Sequence, residues 1–166
     1  HVDARQCYQC GTCAAGCTVG YASDCSPRQL MRMLQLGLTE EVLKSSLIWL
    51  CVGCGNCETR CPRNLNVPHL NDTLRIMAKK KGYVADKSVD VFSDTFLFTV
   101  EKFGRLFEGG LTMGFNLKTM QPFKDVMQAP KLIVRGKLKP FPHRMKDGKS
   151  MKKLFQKVKE MRGDAK

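Results

Sequence analysis

The stretch "CYQCGTCAAGC", residues 7–17, spaces its cysteines by three, three and four residues, and "CVGCGNCETRC", residues 51–61, repeats that spacing. Eight of the chain's nine cysteines lie in these two runs. Three cysteines at such intervals wrap a loop around three corners of an iron–sulfur cubane, and the fourth lies where a helix can begin. A structural zinc site, the alternative, usually draws on two C-x-x-C pairs separated by a loop. The spacing therefore predicts two [4Fe–4S] clusters.

The fourth cysteine of each run decides how the clusters are bound. In two-cluster ferredoxins this cysteine binds the cluster of the other run, and Pro62 follows the second run as that pattern requires. One cluster is therefore predicted to be bound by Cys7, Cys10, Cys13 and Cys61, and the other by Cys51, Cys54, Cys57 and Cys17. The 33 residues between Cys17 and Cys51 then form a helical insert, and the clusters lie close enough to exchange electrons.

The remaining composition indicates an electron carrier. An odd number of cysteines at short spacing fits disulfides badly, which favours a reducing, cytoplasmic compartment, and Cys25 is predicted to be a buried apolar side chain outside both ligand sets. No apolar run approaches the roughly 18–20 residues that a membrane-spanning helix needs. The three histidines are isolated, and no catalytic constellation accompanies the cysteines. We expect another subunit to carry the catalytic chemistry.

The chain is strongly asymmetric. All nine cysteines lie at or before Cys61, and all nine phenylalanines lie at or after Phe92. We therefore divide it into a cysteine domain, residues 1–83, and an aromatic, basic C-terminal extension, residues 84–166. No sustained alternation of apolar and polar residues indicates a strand, so the predicted fold class is all-α.

Helix boundaries in the cysteine domain follow from local patterns. Ser26, Pro27 and Gln29 form the start of a helix with a capping box, and Gly37 ends it. A second helix starts at Pro68 and ends at three lysines and Gly82. The apolar faces predicted for these two helices are Leu30, Met33, Leu34 and Leu38, and Leu70, Leu74 and Met77.

The extension is predicted to be partly helical. A helix over residues 87–107 carries an apolar stripe, and the pair Gly109 and Gly110 breaks it. Residues 111–148, rich in glycine, proline and lysine, hold at most short helices, and Ser150 caps a last amphipathic helix. The stripe comprises Val89, Phe92, Phe96, Val100, Phe103 and Phe107. Part of it is expected to pack on the cysteine domain, and the remainder to lie at a subunit interface, where aromatic residues are enriched.

The segments "CYQCGTCAAGC", "PRQLMRMLQLGL", "LIWLCVGCGNCETRCPRNLNVPHLNDTLR" and "AKKKG" resemble the HdrC family of heterodisulfide reductase subunits over about residues 5–83. The resemblance implies an α-helical ferredoxin fold. It also implies a hetero-oligomer in which this subunit relays electrons between an HdrA-like flavoprotein and a catalytic HdrB-like subunit. Succinate dehydrogenase and fumarate reductase contain similar modules, but with a plant-type [2Fe–2S] domain that is absent here.

Two features depart from that family. Thr18 stands where a proline often follows the fourth cysteine, which loosens the helix start without removing a ligand. The extension is longer and more aromatic than expected of the methanogen subunits, and it resembles bacterial relatives such as the Hdr-like complex of sulfur oxidisers. In that branch the substrate would be a sulfur carrier or another thiol/disulfide couple.

The basic tail leaves two other functions open. Residues 131–166 carry 13 Lys and Arg against 3 Asp and Glu, a charge that attracts phosphates in a nucleic acid or at an anionic membrane surface. The lysines are spread along an amphipathic helix, however, and such faces are usually solvated. We therefore expect no nucleic acid, and we keep peripheral membrane contact as an alternative compatible with electron transfer.

Overall fold

The structure, a computed structural model, describes residues 2–120, 134–136 and 148–162. Within those ranges the regular structure is entirely helical, which confirms the predicted all-α class. A 3₁₀ turn, Ala4–Gln6, precedes helices that we number α1 to α9. They are α1 Thr12–Ala15, α2 Pro27–Gln35, α3 Thr39–Lys44, α4 Leu47–Leu50, α5 Asn56–Thr59, α6 Val67–Lys80, α7 Lys87–Phe103, α8 Glu108–Lys118 and α9 Gly148–Arg162. The chain divides into two compact units, His1–Val89 and Asp90–Lys166.

Helix α2 begins and ends where the sequence predicts. The Ser26 side chain accepts a hydrogen bond from the backbone of Gln29, whose side chain accepts one from the backbone of Ser26, and Pro27 opens the helix. At the other end Gly37 adopts a φ of 76°. This left-handed conformation suits glycine because it has no Cβ, and it lets the backbone N–H of Leu38 reach the carbonyl of Met33 at 3.0 Å.

The buried faces of α2 and α6 differ in part from the predicted ones. Leu30 and Leu74 are buried as predicted, but Leu38 and Met77 are 40% and 41% exposed. Those two predictions are wrong, because Leu38 lies beyond the end of α2 and the buried stripe of α6 is rotated by about one residue. The residues actually buried on α6 are Val67, Asn71, Leu74 and Ala78.

The insert builds the core of the first unit. Helices α2 and α3 contact each other, and both α3 and α4 contact α6. Their inward side chains form one apolar cluster: Leu30, Val42, Leu43, Leu47, Ile48, Trp49, Leu74 and Ala78. A smaller cluster of Met31, Leu65 and Val67 packs against Cys7, Cys57 and Cys61. The two cysteine runs therefore rest on apolar bases supplied by α2, α4 and α6.

In the second unit, helices form around Gly109 and Gly110 instead of breaking there. Both glycines lie in the first turn of α8, which Glu108 opens, and a glutamate at that position suits the helix dipole. The chain instead leaves its helical path after Phe103, where Gly104 adopts a φ of 78°. A Cβ at Gly110 would collide with the ring of Phe107, so this glycine permits a close contact. The predicted helix over residues 87–107 therefore ends four residues early, and α8 was missed.

Threonines, not phenylalanines, occupy the buried face of α7. Thr95 and Thr99 are each 3% exposed, whereas Phe92 is 45% exposed. A Cβ at Gly114 of α8 would lie 3.0 Å from Cγ2 of Thr95, so the two helices approach too closely for larger side chains between them. The threonine hydroxyls donate to carbonyls of their own helix, those of Val91 and Phe96.

The last helix, α9, starts at Gly148, two residues before the predicted cap at Ser150. On its predicted apolar face, Leu154 and Met161 are exposed, at 59% and 72%. The predictions for residues 121–133 and 137–147 lie outside the described residues.

Candidate iron–sulfur site

The two cysteine runs fold in the same way. Each alternates left-handed and extended backbone: φ is 65° at Gln9 and 85° at Gly11 in the first run, and 64° at Gly53 and 76° at Gly55 in the second. Glycine adopts this conformation readily, so Gln9 is the exception among the four. After each run's second left-handed residue a one-turn helix begins, α1 or α5, which carries the third cysteine. These two short helices contact each other.

The fold brings the eight cysteines of the runs around two cavities. Cys7, Cys10, Cys13 and Cys61 line the first. Cys17, Cys51, Cys54 and Cys57 line the second. Each cavity thus meets three cysteines of one run and the fourth cysteine of the other, while Cys57 also reaches the wall of the first.

Exposure differs systematically within each run. The middle cysteines, Cys10 and Cys54, are exposed, whereas Cys13 and Cys57 are partly buried. Burial raises the pKa of Cys13 and raises the pKa of Cys57 to about 11. A hydrogen bond with the Thr12 hydroxyl, 3.3 Å from Sγ, lowers the pKa of Cys10.

The second run's exposed thiol has a similar partner set. The backbone of Asn56 lowers the pKa of Cys54, and the Thr18 hydroxyl, 3.9 Å from its Sγ, acts in the same direction. Thr18 stands where the family often has proline, and here it contacts a thiol of the opposite run. In the first run, Nε2 of Gln9 donates to Sγ of Cys7 at 3.4 Å.

Helix α4, which leads into Cys51, is held at both ends by charged side chains from elsewhere in the chain. At its start, the Asp24 carboxylate accepts hydrogen bonds from the Ser45 hydroxyl at 2.7 Å and from the backbone of Ser46 at 2.9 Å and Leu47 at 3.3 Å. Burial opposes ionisation of Asp24, but these hydrogen bonds outweigh it and lower its pKa. A carboxylate at this end also suits the helix dipole.

At the other end of α4, Arg75 of α6 holds the carbonyls that lead into the second run. Its Nε donates to the carbonyl of Ile48 at 2.8 Å, and its Nη2 donates to those of Trp49 at 3.3 Å and Cys51 at 3.0 Å. The last carbonyls of a helix have no partner within the helix, and a guanidinium can satisfy several of them at once. Arg75 thereby fixes the backbone of the first cysteine of the run.

The first run is held in a comparable way. Nε2 of Gln35, on α2, donates to the carbonyl of Ala4 at 3.0 Å and to that of Cys7 at 2.6 Å. Sequence reasoning missed Asp24, Gln35 and Arg75, because nothing in the local sequence of any of them shows a partner more than 20 residues away.

Cys25 lies away from both cavities. Its Sγ is 3.2 Å from the Ser45 hydroxyl, and the side chain packs against the core of the first unit. Burial raises its pKa.

The donor set of each cavity suits a [4Fe–4S] cluster, which takes four thiolates. Within the described ranges, no three Cys, His, Asp or Glu side chains converge on a point where they could hold a single metal ion. A cubane does not need such convergence, because each of its four thiolates binds a different iron at a separate corner. In the same ranges no helix has the length and apolar composition needed to cross a bilayer.

Residues 6–66 match the family model described as a 4Fe-4S dicluster domain. The part of the chain that carries both runs therefore belongs to the two-cluster class of [4Fe–4S] proteins.

The cysteine half of the chain is more specifically similar to HdrC proteins, the C-type iron–sulfur subunits of heterodisulfide reductases, which confirms the resemblance seen in the sequence. The C-type iron–sulfur subunit of the CoB–CoM heterodisulfide reductase of Methanopyrus kandleri is 43% identical over 84 residues, 51% of this chain and 44% of that protein. The corresponding C2-type iron–sulfur subunit of Methanocaldococcus jannaschii is 41% identical over 81 residues, 49% of this chain and 43% of that protein. The chain thus spans less than half the length of these relatives.

Proposed function

We propose that this chain is the electron-transfer subunit of a heterodisulfide reductase-like complex. The observation that carries the proposal is the pair of neighbouring cavities, each lined by four thiols, within a domain of the dicluster class. When bound, [4Fe–4S] clusters supply reversible one-electron redox chemistry. The protein's contribution is to hold two such centres close together on helices α1 and α5 and to expose one thiol of each run toward a partner.

The ligands that we propose for one cluster are Cys7, Cys10, Cys13 and Cys61. Those for the other are Cys51, Cys54, Cys57 and Cys17. This crossed assignment is supported by the composition of the two cavity walls. It ties residues 7–17 to residues 51–61 and so couples cluster binding to closure of the insert.

Serine substitutions of the fourth cysteines test the assignment. Cys17→Ser is expected to damage the cluster of residues 51–57, and Cys61→Ser that of residues 7–13. The measurement is iron and sulfide analysis with EPR of the anaerobically reduced, full-length protein, in which the wild type should contain eight iron and eight sulfide per chain. Cys25→Ser is the matched control and should leave both EPR signals intact. If each serine variant perturbs only the cluster of its own run, the crossed assignment is wrong, and stoichiometric zinc without EPR signals would refute iron–sulfur binding.

The partners we propose are an HdrA-like flavoprotein and an HdrB-like catalytic subunit, in a cytoplasmic hetero-oligomer that acts on a thiol/disulfide couple. The names of the relatives support a complex of several subunits, since each relative is named as one subunit of a heterodisulfide reductase. Membership of the bacterial branch stays a prediction.

We further propose that residues 84–166 dock the HdrB-like subunit. Support comes from the apolar side chains that α7 leaves exposed: Phe92 at 45%, Phe96 at 36%, Leu97 at 48% and Phe98 at 56%. An aromatic anchor buried at the centre of an interface contributes about 2 kcal/mol or more. The many lysines and arginines of the tail would add rim contacts and speed encounter with an acidic surface.

Acidic substitutions on this face test the docking proposal. The double variant Leu97→Asp/Phe98→Asp should keep both EPR signals yet lose co-purification with the HdrB-like subunit and electron transfer to it. Leu36→Asp is the matched control, because Leu36 is a comparably exposed apolar residue, at 58%, in the first unit. Wild-type binding and reduction of the partner by the double variant would show that α7 is not the dock. Salt-sensitive binding of the wild type to DNA or to anionic vesicles would instead favour the other uses of the basic tail.

A further inference from the structure

Asn71 is a buried polar residue on the otherwise apolar inner face of α6. It is 2% exposed, and the other buried residues of that face are Val67, Leu74 and Ala78. Its side chain lies in the wall of the cavity that Cys17, Cys51, Cys54 and Cys57 line. Its Oδ1 has no hydrogen-bond partner.

A buried amide without a partner is costly. Leaving such a group unsatisfied costs about 1–3 kcal/mol, whereas a leucine at the same place would cost nothing of this kind. Native proteins pair nearly all buried polar atoms, so an unpaired amide in a cavity wall indicates that its partner is what the cavity binds.

The chemistry of the cavity determines what that partner is. Four thiols face Asn71, and both thiolates and the inorganic sulfides of a cluster accept hydrogen bonds without donating them. An amide offers two donors on Nδ2. A half-turn about χ2 exchanges Oδ1 and Nδ2, so the side chain can present its donor to the cavity without moving the backbone.

We propose that Asn71 sets the reduction potential of the cluster in this cavity by donating a hydrogen bond from Nδ2 to a sulfur. The proposal rests on the ligand assignment of the preceding section. A donor stabilises the reduced cluster more than the oxidised one, because the reduced form carries one more negative charge, and hydrogen bonds to the sulfurs are an established determinant of cluster potential. The bond therefore raises the potential of the cluster held by Cys51, Cys54, Cys57 and Cys17.

The first cavity has a different donor, which provides a matched control. Gln9 donates to Sγ of Cys7 at 3.4 Å and lies in the wall of the first cavity. Gln9 and Gly53 occupy equivalent positions, with φ of 65° and 64°. Gln9→Gly therefore removes the donor while the backbone keeps a conformation that glycine favours.

An EPR-monitored redox titration of the reconstituted full-length protein tests the proposal, with the two signals assigned by the Cys17→Ser and Cys61→Ser variants. Asn71→Leu should shift the midpoint potential of the Cys51–Cys54–Cys57 cluster to more negative values and leave the other midpoint unchanged. Gln9→Gly should do the reverse. A purely structural role of Asn71 predicts lower stability or iron content with an unchanged midpoint, and that result would overturn the proposal.

A second measurement needs no variant and so does not depend on Asn71→Leu folding. In wild-type protein with ¹⁵N-labelled asparagine side chains, pulsed EPR of the reduced state should show a nitrogen coupling on the cluster of the second run. Absence of this coupling would overturn the inference. If the wild type lacks the second cluster altogether, the proposed function itself fails, so the two failures are distinguishable.

Discussion

Replacing Arg75 by methionine should destabilise the segment that leads into the second cysteine run. Methionine keeps much of the side-chain volume but removes the donors that reach the carbonyls of Ile48, Trp49 and Cys51. A hydrogen bond from a charged donor contributes about 1.5–3 kcal/mol. The three bonds share one guanidinium whose side chain is 27% exposed, so we discount their sum and expect a loss of about 3 kcal/mol. Water cannot easily replace Arg75, because Ile48 and Trp49 are 0% and 3% exposed.

Unfolding of a cluster protein is followed best as a rate, since cluster loss makes it irreversible. The assay is the loss of visible cluster absorbance in anaerobic urea, with wild type and variants compared at one urea concentration. If the contacts are broken in the transition state, 3 kcal/mol corresponds to a roughly 100-fold faster loss. Arg75→Lys should be intermediate, because an ammonium keeps the charge but lacks the planar fork.

The control is Arg63→Met, which removes an exposed cation two residues after Cys61 and touches none of these carbonyls. It should change the rate less than threefold. Equal rates for Arg75→Met and Arg63→Met would refute the argument, because the effect would then come from net charge instead of from the held carbonyls.

Three further substitutions probe other contacts. Asp24→Asn should lower stability by about 1 kcal/mol after allowance for solvent exposure; because the folded pKa is lowered, the carboxylate's contribution is full above an unfolded pKa of about 3.9 and is lost as pH falls through the lower folded value, so urea midpoints should differ equally at pH 8 and pH 6, and a difference that changes between them would contradict this. Ser26→Ala should cost about 1 kcal/mol in the same assay through loss of the capping box, and no change in the urea midpoint would argue against that cap. Gly114→Leu should cost about 1–3 kcal/mol by overpacking against Thr95, measured by thermal unfolding of the full chain, whereas an unchanged melting temperature would show that α7 and α8 do not pack closely there.

The cysteine spacing, the capping box at Ser26 and the glycine at residue 37 were all legible in the sequence. Each acts over a few residues: the spacing fixes which sulfurs share a loop, a cap needs its partner three residues on, and Gly37 supplies a conformation that its own lack of a side chain permits. The all-α class and the two-cluster interpretation follow from such local rules, and the resemblance to the HdrC family follows from the segments that obey them. The predicted ligand set, Cys7, Cys10, Cys13 and Cys61 with Cys51, Cys54, Cys57 and Cys17, came from the spacing and from the known behaviour of the fourth cysteine.

Only the tertiary structure decided what lies against these elements. Asp24 and Arg75 hold α4 from positions more than 20 residues away, and Asn71 reaches the second cavity because α6 is rotated by about one residue from its most apolar face. On α7 the close approach of Gly114 selects Thr95 for the buried side, and phenylalanines that periodicity assigned to a core stay exposed. Periodicity states that a helix has an apolar face, but the distance and rotation of the neighbouring helix determine which side chains fit there.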